Sequence, residues 1–233
     1  MGTVVLQSQR RRATRILETL RERHAIRDED YASLLVARES HDPFRVLVVT
    51  ILSQSCTDIA AIHAYRNLDQ QIGITVAKLS RANAREIQRA IRMAGLHRQK
   101  ARAIRRLAQI VEEQYSTNLA DALNGELEDV RSRLQQLPKV GPKTADVLLS
   151  VFGRPTISVD THVNRVSKRL GLAPQKAKYE QVRAALMQLF EEEDYRFIPL
   201  LFIAHGRQIC KSIRPHCTAC PVEKLCPYPR KNL

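Results

Sequence analysis

The stretch Leu137–Leu149, LPKVGPKTADVLL, decides the fold of this chain. Proline is tolerated at the first position of a helix but interrupts a helix interior. Pro138 therefore ends one amphipathic helix, and Pro142 begins another. The sequence predicts two helices, Glu126–Leu137 and Pro142–Phe152, joined by a tight turn.

The turn between these helices carries backbone amides that have no partner within either helix. Such amides, at a turn and at a helix N-terminus, bind phosphate without reading a base. Gly141 would let a phosphate approach the backbone closely. An ordinary helix-turn-helix packing element is the alternative interpretation. The candidate phosphate contacts in this segment are Lys139, Val140, Gly141 and Thr144.

Helical patterns continue on both sides of the hairpin. Arg12–Arg23 is amphipathic, and Asp42 followed by Pro43 is typical of a helix start. Asp160 is placed as the N-cap of a further helix, Thr161–Leu170. No strand–turn–strand pattern is convincing, so the chain is predicted to be all-α.

Four of the five cysteines lie in the last twenty-four residues with the spacing C-x6-C-x2-C-x5-C. Four thiolates that close together can hold one metal centre, and the prolines among them favour turns. The spacing alone leaves zinc and an iron–sulfur cluster equally open, because zinc prefers paired C-x2-C elements and a single pair is present. Clustered cysteines also favour a reducing compartment over a disulfide framework. The candidate ligands are Cys210, Cys217, Cys220 and Cys226.

The charge of the chain indicates an anionic partner. Among 233 residues, 38 Lys and Arg against 24 Asp and Glu give a formal net charge of +14. This excess favours nucleic acid, although a generally basic or ribosome-associated protein has a similar composition. No run of eighteen apolar residues is present, and the start of the chain lacks the apolar core of a signal peptide. Neither a membrane span nor secretion is expected.

Three motifs together resemble the endonuclease III family of DNA glycosylases. The turn followed by Lys143 and Thr144 is similar to that family's helix–hairpin–helix. The VDTH segment is similar to the one that supplies the family's essential aspartate, here Asp160, and the cysteine spacing is similar to the family's [4Fe–4S] loop. The motifs occur in the family's order, and the resemblance extends from about Val36 to Pro227.

The resemblance implies a two-domain, all-α, helix–hairpin–helix glycosylase fold with a C-terminal iron–sulfur loop. One domain would be a helical bundle over residues 36–154 that carries the hairpin, and the other would combine residues 1–35 with residues 155–233. The cleft between them would hold Lys143 and Asp160. The implied partner is double-stranded DNA with a damaged base or an abasic site, bound by a monomer. A cytoplasmic or nucleoid location is expected.

The implied activity is that of a bifunctional DNA glycosylase and AP lyase, which removes oxidised pyrimidines such as thymine glycol. The Lys143 amine would attack the sugar C1′ and form a Schiff base, and β-elimination would then cut the strand. Asp160 would stabilise the developing positive charge or help to deprotonate the lysine. The simpler interpretations are that Lys143 is a phosphate contact and that Asp160 is only a helix N-cap.

A base that leaves the helix stack must be replaced by a side chain. Leu96 lies in a loop similar to the one that carries the family's wedge leucine. The family's second gap-filling residue, a Gln, corresponds here to Ser55, with Gln54 one position earlier. Lys139 is another departure, because the family's hairpin usually has Gly there. His162, within the VDTH segment, is a further candidate DNA contact.

Two rival functions remain open. One is a mismatch glycosylase that removes T or U opposite G, but relatives of that type commonly lack the lysine at position 143. The other is a non-catalytic helix–hairpin–helix protein that only binds DNA, and the presence of both Lys143 and Asp160 speaks against it.

Overall fold

The computed structural model describes residues 2–229, and over that span the backbone forms twelve α-helices and no β-strand. The predicted all-α class is therefore confirmed. The helices are α1 (Gly2–Arg23), α2 (Ala32–Ser40), α3 (Pro43–Ser53), α4 (Asp58–Gln71), α5 (Val76–Arg81), α6 (Ala84–Ala90), α7 (His97–Tyr115), α8 (Leu127–Leu134), α9 (Pro142–Val151), α10 (Thr161–Arg169), α11 (Tyr179–Leu189) and α12 (Phe197–Gln208). None of these described helices combines the length and the apolar character needed to cross a membrane.

The chain divides into two compact units. Arg27–Arg154 forms a bundle unit with helices α2 to α9, and Met1–Ile26 together with Pro155–Leu233 forms a second unit with α1 and α10 to α12. Residues 27–35, which the sequence analysis placed with the N-terminal helix, belong to the bundle unit instead. The reason is packing, since Ala32 of α2 is buried in the core of that unit.

Helix α3 lies at the centre of the bundle unit. Asp42 caps it, because its Oδ1 accepts a hydrogen bond from the backbone N–H of Phe44 at 2.8 Å, and Pro43 occupies the first position. Every residue from Phe44 to Leu52 except the half-buried Arg45 is buried, and a helix that is apolar on nearly all sides needs neighbours on nearly all sides. Helices α2, α4, α7 and α9 all pack against it. The end of α3 therefore leads directly from the core into the segment that holds Gln54 and Ser55.

The hairpin is formed by α8 and α9, and a buried ion pair joins them. Arg131 of α8 donates from Nε and Nη2 to the two carboxylate oxygens of Asp146 of α9, at 2.8 and 3.0 Å. Helix α8 was predicted to reach Leu137 but ends at Leu134. The next residues form tighter turns, as in the hydrogen bond from the N–H of Val140 to the carbonyl of Leu137 at 3.1 Å.

The second unit is built on α1, which begins at Gly2 rather than at the predicted Arg12. Helix α1 buries one apolar face against α11 and α12, and α10 packs on α11 and α12. Arg12 donates to the carbonyls of Leu170 and Leu225, each at 2.9 Å. These bonds tie α1 to the end of α10 and to the cysteine segment, Cys210–Cys226, which follows α12.

Candidate active site and cysteine centre

The turn before α9 leaves the start of that helix open. Gly141 is the N-cap of α9, and no side chain caps the helix. Gly141 has φ −93° and ψ −177°, which any residue adopts, and a Cβ added to it would meet nothing within 4 Å. The fold itself therefore does not require glycine at this position. A requirement for glycine would come from a group that approaches the turn from outside.

Lys139 is the residue of the turn with a left-handed backbone, at φ 63°. Its carbonyl accepts a hydrogen bond from Nε2 of Gln54 at 2.8 Å, and its Nζ donates to Oε1 of Gln99 at 3.1 Å. Nε2 of Gln54 also lies 3.3 Å from Oγ1 of Thr144. The side chain of Gln54 is thus engaged by the hairpin, and Lys139 links the hairpin to the start of α7.

The segments that hold Ser55 and Leu96 are neighbours within the bundle unit. Ser55 is exposed with φ 51°, and Leu96 is 51% exposed with φ 60°. A Cβ added to Gly95 would lie 3.2 Å from the backbone oxygen of Ser55. The left-handed region is uncommon for non-glycine residues and strained backbone often marks functional sites. Ser55, Leu96 and Lys139 share it, so the three predicted DNA-contacting segments also share this strain.

Lys100 fixes the start of α7 to the end of α3. The side chain is 1% exposed, and its Nζ donates to the carbonyl of Leu52 at 2.8 Å. Burial lowers the pKa of Lys100; the nearby Cys56 opposes this shift and Lys139 adds to it. The hydrogen bond satisfies a carbonyl at the end of α3, where no further helical amide is present to do so.

The predicted nucleophile, Lys143, is the second residue of α9, and its side chain is exposed. No carboxylate among the described residues forms an ion pair with it. Val140 and Thr144 are buried, so any contact of these two residues with a phosphate would come from their backbone amides. The exposed amine therefore lies on the second residue of a helix whose N-terminus is open and uncapped.

The predicted aspartate, Asp160, is the N-cap of α10. Its Oδ1 accepts a hydrogen bond from the N–H of Val163 at 2.7 Å, and Oδ2 has no hydrogen-bond partner among the described residues. The first turn of α10 also holds His162, whose Nδ1 lies 3.1 Å from Nη2 of Arg165. A guanidinium can only donate, so this nitrogen of His162 accepts. Burial lowers the pKa of His162, which Asp160 opposes.

Helix α10 approaches α12 closely at His162. A Cβ on Gly206 would lie 2.9 Å from Nδ1 of His162. Arg165 reinforces the contact by donating to the carbonyls of Gly206 and Cys210, both at 3.0 Å. Further along α10, Arg169 lies 3.5 Å from Sγ of Cys210 and donates to backbone carbonyls of the same segment. The helix that Asp160 caps is therefore also bound to the cysteine segment.

The four predicted ligand cysteines line one small, apolar cavity. All four are free thiols and half-buried. Burial raises the pKa of Cys220 to about 11; a backbone amide at Val222 opposes the shift, and the other three cysteines add to it. Burial likewise raises the pKa of Cys226. Four such thiols become anionic together only around a strongly positive centre, so the donor set suits a four-thiolate metal group.

As they stand, no three His, Cys, Asp or Glu side chains within residues 2–229 are arranged to hold a single metal ion. Lys211, Arg214 and Lys224, three of the basic residues near the cysteines, are exposed. Arg230 and Lys231, which the sequence also places there, lie outside the described residues.

Comparison with known proteins gives the family. Residues 48–192 match the HhH-GPD superfamily of base excision DNA repair proteins. The endonuclease III of Sulfolobus acidocaldarius is 33% identical over 223 residues, which cover 95% of this chain and 98% of that protein. This chain belongs to the endonuclease III family. It is accordingly a DNA glycosylase and AP lyase of base excision repair.

Solved structures of related proteins have the same fold. A trapped covalent intermediate of endonuclease III with DNA is 31% identical, covers 87% of this chain and 97% of that chain, and has a TM-score of 0.71. A thermostable thymine-DNA glycosylase has a TM-score of 0.75 over 95% of this chain and 97% of its own, but at 23% identity this likeness shows the fold alone.

Several residues of the site were not predicted from the sequence. They are Gln99, Lys100, Arg131, Asp146, Arg165 and Arg169. One signal was present for Lys100, since it follows the helical spacing of the buried Ala103, Ile104 and Leu107 and is the charged residue on that face. The others also contact residues fifteen or more positions away in the chain, and those contacts leave no local pattern.

Proposed function

We propose that this endonuclease III family enzyme uses Lys143 as its covalent nucleophile. The observation that carries the proposal is the exposed amine of Lys143 directly after an uncapped helix start at which Gly141 leaves open space. Backbone amides there would hold a DNA phosphate. That anchor would bring the sugar of the neighbouring nucleotide to the amine.

In the proposed reaction, Nζ of Lys143 attacks C1′ of the extruded nucleotide, and the bond from C1′ to the base breaks. The leaving base takes up a proton, and the sugar ring opens to give a Schiff base on Lys143. Loss of a C2′ proton then expels the 3′ phosphate by β-elimination. These steps cut both the glycosidic bond and the strand, and they need no group other than amines, carboxylates and water.

Asp160 is proposed as the electrostatic partner of this chemistry. One carboxylate oxygen caps α10, and the other is not used by any described residue, so the carboxylate keeps an accepting oxygen for the reaction. A fixed negative charge would stabilise the oxocarbenium-like sugar or accept a proton from the lysine. The cap holds the carboxylate in one orientation, which removes part of the entropic cost of positioning it.

The proposed substrates are oxidised pyrimidines, such as thymine glycol, and abasic sites in double-stranded DNA. The family relationship supports this substrate class, and the net charge of +14 supports tight binding to a phosphate backbone. We propose that the enzyme acts as a monomer on DNA in a cytoplasmic or nucleoid, reducing compartment.

The cofactor is proposed to be a [4Fe–4S] cluster held by Cys210, Cys217, Cys220 and Cys226. The four half-buried thiols that line one cavity support it. When bound, the cluster would supply no electron to base excision and would hold the cysteine segment in one conformation. Protein purified without oxygen should contain about four iron and four sulfide per chain. Stoichiometric zinc without sulfide would contradict this assignment.

Borohydride trapping tests the nucleophile. The wild-type enzyme should form a stable covalent complex with a thymine glycol duplex, because borohydride reduces the Schiff base. Lys143→Ala should form none, whereas Lys139→Ala, which removes a neighbouring amine of the same turn, should still be trapped. Trapping that persists in Lys143→Ala would refute the assignment.

Two further measurements test the partner and the substrate class. Asp160→Asn should bind the duplex normally and turn over slowly, since Asn caps helices well but carries no charge. A panel of thymine glycol, abasic and T·G duplexes separates the proposed specificity from mismatch repair. Preferential removal of T opposite G would overturn the proposed substrate.

A further inference from the structure

Two buried histidines connect α1 to the cysteine centre. His205, in α12, is 1% exposed, and His24, just after α1, is 4% exposed. Nε2 of His24 lies 3.2 Å from Nδ1 of His205, and Nε2 of His205 lies 3.7 Å from Sγ of Cys220. The rings meet edge to face with centroids 5.4 Å apart. The three side chains thus form one continuous hydrogen-bonded chain.

The two imidazoles share one hydrogen bond at 3.2 Å, so one of the two facing nitrogens donates and the other accepts. Burial lowers the pKa of His205 to about 4, and His24 and Arg23 lower it further. Burial also lowers the pKa of His24; Arg23 adds to this shift and the side chain of Gln208 opposes it. A neutral imidazole has one N–H donor and one acceptor nitrogen. One proton therefore lies between the two rings. Whether His24 or His205 carries it decides whether Nε2 of His205 is a donor or an acceptor toward Cys220.

The chemistry of a ligated sulfur decides which atom donates in each of these hydrogen bonds. A cysteine that holds a metal centre is a thiolate and can only accept, so Nε2 of His205 must carry the proton that faces it. Nδ1 of His205 is then an acceptor and takes the N–H from Nε2 of His24. The remaining nitrogen, Nδ1 of His24, is then the unprotonated one; it is buried and accepts no hydrogen bond among the described residues.

We infer that His205 donates a hydrogen bond to the Cys220 sulfur of the cysteine centre, and that His24 is the positioning residue that fixes His205 in the required tautomer. The inference rests on the proposed four-cysteine centre. A donated hydrogen bond withdraws negative charge from the sulfur, which stabilises the more reduced state of the centre and raises its reduction potential. It also makes the sulfur a poorer target for oxidation.

The alternative is that the two histidines only fill the core. Burying polar groups is unfavourable unless they are hydrogen-bonded, and an apolar residue of similar volume would fill the same space without that penalty. His24 and His205 satisfy one another through a single hydrogen bond. Among the described residues, Cys220 alone contacts the second nitrogen of His205. The histidine pair therefore has its outside partner in the cysteine centre and not among the core residues.

The test compares leucine and glutamine variants in the intact holoprotein. His205→Leu removes the donor and retains volume, whereas His205→Gln retains an N–H near the position of Nε2. His24→Leu and His24→Gln form the same comparison one step further from the sulfur. His63→Leu, an exposed position in the bundle unit, is the matched control. The measurements are iron and sulfide content, reduction potential by voltammetry, and the rate at which ferricyanide bleaches the visible absorbance.

His205→Leu should lower the potential and bleach about fivefold faster, which corresponds to one ordinary hydrogen bond. His205→Gln and His63→Leu should remain close to wild type. His24→Leu should also lower the potential and speed bleaching, by less than His205→Leu does. His24→Gln should leave both close to wild type. If His205→Leu does not fold, the two His24 variants carry the test, and equal potentials in that pair would overturn the inference.

The failure of this inference and that of the proposed centre are distinguishable. A wild-type protein without stoichiometric iron and sulfide would overturn both. A loaded centre whose potential and bleaching rate do not change in His205→Leu would overturn the hydrogen-bond inference alone.

Discussion

Gly141→Ala is the substitution that most directly tests the open turn before α9. The glycine has φ −93° and ψ −177°, and an added Cβ would meet no protein atom within 4 Å. Alanine therefore fits the folded protein without strain. If a DNA phosphate approaches the amides of this turn, the same methyl group would lie where the phosphate must come closest.

The effect on stability is the balance of two small terms. Replacing glycine by alanine in a compatible conformation stabilises by about 0.4–1 kcal/mol, because the unfolded chain loses freedom. Alanine is also a poorer N-cap than glycine, which costs on the order of 0.5–1 kcal/mol. The two nearly cancel, and the midpoint of thermal unfolding should change by no more than roughly 2 °C.

The effect on DNA binding should be much larger. A hydrogen bond to a charged group contributes about 1.5–3 kcal/mol, and displacing the phosphate from one such amide should weaken binding by roughly 10- to 100-fold. Binding is measured by fluorescence anisotropy with a duplex that contains a stable abasic-site analogue, at one fixed salt concentration. Gln136→Ala, an exposed position of the same hairpin, is the control and should match wild type in both assays.

Two outcomes would refute this reasoning. Unchanged affinity together with unchanged stability would show that no phosphate approaches Gly141. A loss of stability above about 2 kcal/mol, which these two backbone terms cannot supply, would show that the turn has a different geometry.

Three other substitutions give independent tests. Lys139→Gly should relieve the left-handed backbone strain by about 1 kcal/mol and raise the midpoint of thermal unfolding by about 2–4 °C, so an unchanged midpoint would contradict the strain. The same variant should reduce the slope of log DNA affinity against log salt concentration by about 1, the loss of one phosphate contact. Asp146→Asn removes the buried carboxylate that Arg131 faces and should lower the midpoint by about 6–12 °C, the equivalent of about 3 kcal/mol, so near-wild-type unfolding would refute the importance of the pair. Leu96→Ala should reduce base extrusion, followed by 2-aminopurine fluorescence, more than it reduces binding, because unstacking a base costs a few kcal/mol; unchanged extrusion would exclude Leu96 as the wedge.

Local chemistry made much of this fold predictable from the sequence by itself. Asp42 and Asp160 cap their helices as expected, and Pro142 begins α9 as expected. These signals work because a cap or an N-terminal proline acts on amides within three or four residues of itself. The motifs around Lys143 were also sufficient to indicate the family, since their spacing and order are properties of the chain alone.

Only the tertiary structure decided which residues surround the site. Gln54 is bound to the hairpin carbonyl 85 positions away, and His24 reaches His205 across 181 positions. The sequence suggested that Gly141 sets the conformation of the turn, yet Lys139 is the residue with the left-handed backbone. The carbonyl of Lys139 is bound by Gln54, and its side-chain amine is bound by Gln99. Residues 27–35 joined the bundle because α2 found its apolar partners there. Side-chain hydrogen bonds and apolar contacts depend on distance in space, and that distance is set when the helices pack.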